Sequence, residues 1–150
     1  MVRPSMYEFA GGEPAFLRLA TAHHERCLAD PELNHPFSHP GHPEHVQRLA
    51  WYWGEVFGGP PHYSGVSEGQ TFMQRLHSGM GAADDFGDRF VDCFVKAADD
   101  VGLPDDPEFR QGLRAYMEWA VADVHVYNTR GSTVPSGLDV PRWSWDGLQA

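Results

Sequence analysis

RFVDCFVKAADDVGLP, residues 89–104, decides the fold class. Together with Phe86, its apolar residues Phe90, Cys93 or Phe94, Ala97 and Val101 recur at three and four, the spacing of one buried helical face. Asp84 or Asp85 is placed to cap the start of this helix, and Gly102 and Pro104 end it. Downstream, Asp105 or Asp106 opens another helix, with Phe109, Leu113, Met117, Ala120, Val121 and Val124 on its inner face. Upstream, Glu13 to Ala29 places Phe16, Ala20, His23 or His24 and Cys27 at the same spacing; Pro14 is tolerated in the first turn and Asp30-Pro31 closes the helix. A further helix spans about Glu44 to Phe57, with His45, Leu49, Tyr52 or Trp53, and Val56 on one face, and Gly58-Gly59-Pro60-Pro61 stops it. Strand patterns are almost absent. The connections within each helix pair are short and favour antiparallel neighbours. The reading is an all-α domain.

Between the pairs the chain is different. DPELNHPFSHPGHP (30–43) is too rich in proline and histidine for regular structure, and 60–80 is mostly loop with one short helical turn near Phe72 to Leu76. A bulky apolar cofactor between the helix pairs explains both the loop and the supply of Phe37, Trp53, Phe72, Phe90 and Phe94. Taken singly, each of these aromatics is better explained as ordinary core. His77 stands between this loop and the apolar helix, with His24 and His45 on helices upstream. One imidazole below a flat cofactor and two polar side chains above it is how a protein holds haem iron and governs its open face.

At 150 residues the chain suits one domain, with a hydrophobic content of 41% and a charged content of 21%. A formal charge of −10, with Lys96 the single lysine, argues against nucleic acid and anionic membrane surfaces as partners. No apolar run approaches a membrane span, and MVRPSMYEFAGG lacks a signal-peptide core, so a cytoplasmic protein is expected. Cys27 and Cys93 lie in apolar helical context; reduced and buried is the expectation, with a disulfide left open.

YEFAGG (7–12), ADPEL with Pro36-Phe37, FGGPPHYS (57–64), RLH (75–77) and the opening sixteen-residue helix stretch, taken in that order, resemble the truncated haemoglobins, their second group in particular. The resemblance covers about residues 6 to 126. It implies a two-over-two helical sandwich around haem b, binding dioxygen, carbon monoxide and nitric oxide. The domain is then 1–126, and 127–150 a tail that packs on it or is partly disordered. By the same resemblance His77 is the proximal iron ligand, Phe37 stacks on the haem, and His45 and Leu49 overlook its distal face. His24 takes the place of the family's usual tyrosine, and Phe90 that of the second group's tryptophan. Arg48 and Tyr63 match residues that meet the haem propionates, while Leu76 replaces an arginine, with Arg75 beside it. Trp53, Phe72, Phe94 and Met117 complete the expected cofactor contacts.

The exchange of Tyr and Trp for His and Phe matters chemically. A neutral imidazole donates one hydrogen bond, titrates near neutrality and is itself a metal ligand. His24 and His45 are therefore candidate proton-transfer residues in redox chemistry on oxygen, peroxide or nitric oxide, peroxidase-like or nitric-oxide-dioxygenase-like, fed by an unidentified reductase. A non-catalytic gas-binding or sensing globin with a distal histidine on the iron is the first alternative. A haem-free helical metal-binding or interaction protein is the second, for which His35, His39, His42 and His45 offer a weak ligand spacing. Monomer and homodimer are both compatible. Trp143 and Trp145, so close to a terminus, are expected to dock on their own domain.

Overall fold

The computed structural model describes residues 3–31, 44–66, 86–128 and 140–149. Six helices appear there: α1 Met6–Ala10, α2 Glu13–Ala29, α3 His45–Val56, α4 His62–Val66, α5 Phe86–Asp100 and α6 Pro107–Asn128. A small hairpin, β1 Arg142–Ser144 against β2 Gly147–Gln149, follows them. The four long helices fall where the apolar spacing puts them. Asp106 caps α6 through a 2.9 Å hydrogen bond from the Phe109 amide, and Gly102 ends α5 at a φ of 69°.

α2 packs on both α3 and α5, and α5 packs on α6. Both pairs are antiparallel. At the near end of one pair Glu13 accepts a hydrogen bond from Trp51, and at its far end His24 meets His45. In the other, a Cβ added at Gly87 would lie 2.4 Å from Val121, while Asp99 pairs with Arg110 at the opposite end. The core runs through all four, with Phe16, Leu19, Val56, Phe57, Phe94, Phe109 and Tyr116 almost wholly removed from water.

The stretches YEFAGG and FGGPPHYS meet in space through Tyr7. Gly11 sits at a φ of 119°, turning α1 into α2, a conformation that side chains with a Cβ rarely adopt. The Tyr7 amide donates to the Phe57 carbonyl at 3.0 Å, and its ring covers the end of α3. A Cβ at Gly59 would come within 2.7 Å of both that ring and the Gly54 carbonyl. Glycine is required there for close approach.

Two departures from the sequence reading appear. α4 is a short helix in a stretch read as loop, held by the buried Glu55 carboxylate, which accepts from the Ser64 amide and hydroxyl; α1 lies in a stretch to which no element was assigned. The tail is the second correction. The last helix continues to Asn128, and the RWSWDG segment, read without strands, turns back as the hairpin. Trp143 is buried against Tyr116 and Trp119, and Trp145 packs edge-on to Phe9 while donating to the Pro4 carbonyl. Arg142 donates to the Glu55 carbonyl at 2.9 Å, tying the hairpin to the end of α3. Among the described residues no helix is long and apolar enough to cross a membrane.

Candidate functional site

α2 carries two adjacent histidines that face different surroundings, since successive helical residues point about 100° apart. His23 joins the stripe of Phe16, Leu19, Ala20 and Cys27 and is fully buried. Its ring stands nearly perpendicular to Phe90, Trp53 and Phe94, at centroid distances of 4.5, 5.3 and 5.9 Å. Cys27 Sγ lies 3.5 Å from its Nε2, and its Nδ1 has no hydrogen-bond partner. Burial in this aromatic box pushes the imidazole pKa down to about 4, so the ring is neutral.

His24 is half-buried and looks across to α3, where its ring lies 5.5 Å from that of His45 at an angle of 60°. His45 is the first residue of its helix and is exposed. Leu49 follows one turn later at the edge of the core, and Trp53 one turn after that, buried and 4.8 Å from Phe94. The structure thus brings together His24 with His45 and Trp53 with Phe94, and inserts His23 between Trp53, Phe94 and Phe90. Met117 is buried on α6, and Tyr63 is buried on α4 with its ring edge-on to Tyr52. His77, Phe37 and Phe72, together with Leu76, Arg75, His35, His39 and His42, lie outside the described residues.

His23 is the residue the sequence left unassigned; its place in the apolar stripe was the available clue. The cysteines are both buried, free and in contact with each other, with Phe90 against them. Burial raises both thiol pKa values, which leaves them protonated and unreactive. No group of three or more metal-ligating side chains gathers among the described residues.

The described helices thus form two antiparallel pairs, α2 with α3 and α5 with α6, and the imidazoles of His24 and His45 face one another across the first. The model of the bacterial-like globin family matches residues 5–126, and the chain belongs to that family, the truncated haemoglobins. It is 22% identical to a group 1 truncated hemoglobin of Tetrahymena thermophila over 103 residues, which cover 69% of this chain and 81% of that protein. The thermostable hemoglobin of the actinobacterium Thermobifida fusca superposes with a TM-score of 0.66 at 27% identity, over 89% of this chain and 100% of that one. The group II truncated hemoglobin of Bacillus anthracis shares the fold with a TM-score of 0.71 at 19% identity, over 89% and 98% of the two chains.

Membership implies haem-based gas binding. Among the described residues, two buried donors suit a group that carries carboxylates. Arg48 Nε and Gln47 Nε2, on the turn that follows His45, are buried donors with no hydrogen-bond partner. A buried donor left unsatisfied is costly, on the order of 1–3 kcal/mol, and a carboxylate within reach would relieve it.

Proposed function

We propose that this chain is a haem b globin that binds dioxygen, carbon monoxide and nitric oxide, and turns over oxygen, peroxide or nitric oxide in redox chemistry. The observation that carries this reading is the His24–His45 pair, two imidazole rings 5.5 Å apart that face one another from α2 and α3. Bound haem would supply an iron with one face open to a diatomic ligand. His77 is the proximal ligand in this reading, and Phe37, Leu49, Trp53, Phe72, Phe90, Phe94 and Met117 form the apolar walls that exclude water. Arg48 and Tyr63 take the propionates, the guanidinium through its unsatisfied Nε.

The chain's own residues then define the chemistry. One imidazole of the pair donates a hydrogen bond to the ligand, and the other relays a proton to or from solvent, since His45 is exposed. His23, neutral and shut in behind them, contributes shape and no charge. A storage protein has little use for two proton carriers, whereas reduction of oxygen or peroxide consumes protons. Electrons come from a separate cytoplasmic reductase. The half-exposed setting of the His24–His45 pair also suits a second reading, a gas-binding or sensing protein in which one of these imidazoles would itself be a ligand of the iron.

Absorption spectra of purified protein, ferric and ferrous, with and without carbon monoxide, test both. A Soret band that shifts with carbon monoxide and is lost in His77→Ala is expected. A band unchanged by that substitution overturns the assignment of His77, and a colourless protein after expression with ample haem overturns the whole reading.

A further inference from the structure

We propose that Tyr63, Tyr52, Tyr116, Trp143 and Trp119 form a relay that carries single oxidising equivalents between the candidate site and the protein surface. Tyr63 and Tyr52 meet edge to face at 5.1 Å. Tyr52 is hydrogen-bonded to Tyr116. Tyr116 in turn lies 5.6 Å from Trp143 and 6.4 Å from Trp119, and the two indoles are 6.0 Å apart. Every member is a phenol or an indole, the side chains that release one electron most readily after thiols. The phenylalanines beside them, such as Phe57 at 5.0 Å from Tyr116, do not, so the route is defined.

Core packing alone does not account for this choice of residues. Tyr63, Tyr52 and Tyr116 are 5%, 5% and 1% exposed, where phenylalanine would fill the same space without a hydroxyl to satisfy. The far end lies outside the family match. Trp143 comes from the terminal hairpin, beyond the stretch that matches the family, and it seats on Tyr116. Trp119 is half-buried and gives the route access to solvent.

The source of oxidising equivalents rests on the haem reading above; the route does not. Hydrogen peroxide takes up two electrons and, from solvent, two protons and leaves as two waters; the relay supplies both electrons, one after the other, and the outside donor at Trp119 makes good each in turn. At each step an electron moves from a phenol or indole to its oxidised neighbour. A phenol releases its O–H proton with the electron, which between Tyr52 and Tyr116 is a shift along their hydrogen bond. Trp119 loses its indole proton to water and is restored by an outside one-electron donor such as ascorbate.

Pulse radiolysis tests the route on the purified chain without reference to haem. The azide radical takes one electron from tryptophan to give azide ion, a tryptophan radical and a proton. The expected sequel is conversion to a tyrosyl radical at a rate independent of protein concentration, slowed about tenfold or more in Tyr116→Phe. Trp119→Phe is expected to lower its yield. A rate unchanged in Tyr116→Phe, or one that scales with concentration, overturns the relay. In the haem-loaded protein, peroxide and a spin trap are expected to label Trp119, as read by mass spectrometry, and to lose that label in Tyr116→Phe. Transfer under radiolysis with no such label would uphold the route and refute the haem-derived source.

Discussion

His23 sets a pH dependence for the whole protein from a single ring. Its native pKa of about 4 lies below the ordinary histidine value of 6.5 because the aromatic box excludes water. The unfolded chain therefore binds a proton below pH 6.5 that the native ring refuses until about pH 4. Stability from this residue is complete above the upper value and falls as pH drops through that window, by roughly 3 kcal/mol in all. Asp100 beside Arg26 and Glu108 beside Arg3 have lowered pKa values and weaken the fold only at more acid pH, and both are exposed. Urea unfolding of the parent and His23→Leu at pH 7 and pH 4.5 separates these effects. The parent is expected to lose most of that amount between the two conditions and the variant very little; equal losses would mean that His23 is not the group responsible.

At the scale of elements, the hairpin is the part whose contribution is easiest to isolate. Trp143 is 8% exposed and lies against Tyr116 and Trp119, while Arg142 makes one hydrogen bond to a backbone carbonyl. Trp143→Ala is expected to destabilise by about 3 kcal/mol, the lower end for losing a buried aromatic, and Arg142→Ala by about 1 kcal/mol. Thermal or urea unfolding measures both, and a Trp143→Ala protein as stable as the parent would show the hairpin to be a loose appendage. This element was illegible in the sequence for a physical reason. Three-residue strands are too short for a period of two to register, and their partners, Pro4, Phe9 and Glu55, lie some 85 to 140 positions away along the chain. The four long helices were legible because α2, α3, α5 and α6 each carry a repeating apolar face with a stop at one end. The site was legible only in part. Periodicity could not choose between His23 and His24; only the packing of Phe90, Trp53 and Phe94 around one of them separates the buried ring from its half-buried neighbour. The same limit hid Tyr116, which is packed by Phe57 from α3's end and by Trp143 from the hairpin.

For the whole molecule, charge sets the test of one arginine. The chain carries a net −10, and haem brings two more carboxylates. Five arginines are already engaged with acids: Arg3 with Glu108, Arg26 with Asp100, Arg89 with Asp30, Arg110 with Asp99 and Arg114 with Glu118. These pairs are largely exposed, each worth at most about 1 kcal/mol, and their role is to pin helices whose surface is otherwise acidic. Arg48 differs in that its Nε is buried and unsatisfied beside the His24–His45 pair. Cofactor binding to the native state alone raises stability by RT ln(1 + [L]/Kd), about 2.7 kcal/mol at a free concentration one hundred times Kd. Haem titrated into apoprotein is thus expected to raise Tm steadily, and Arg48→Ala to need severalfold more haem for the same rise. The deficit should widen as salt is lowered, because repulsion between the acidic chain and the propionates is then less screened. A Tm that ignores haem, or an Arg48→Ala titration that overlays the parent at every salt concentration, would show that this arginine does not offset that repulsion.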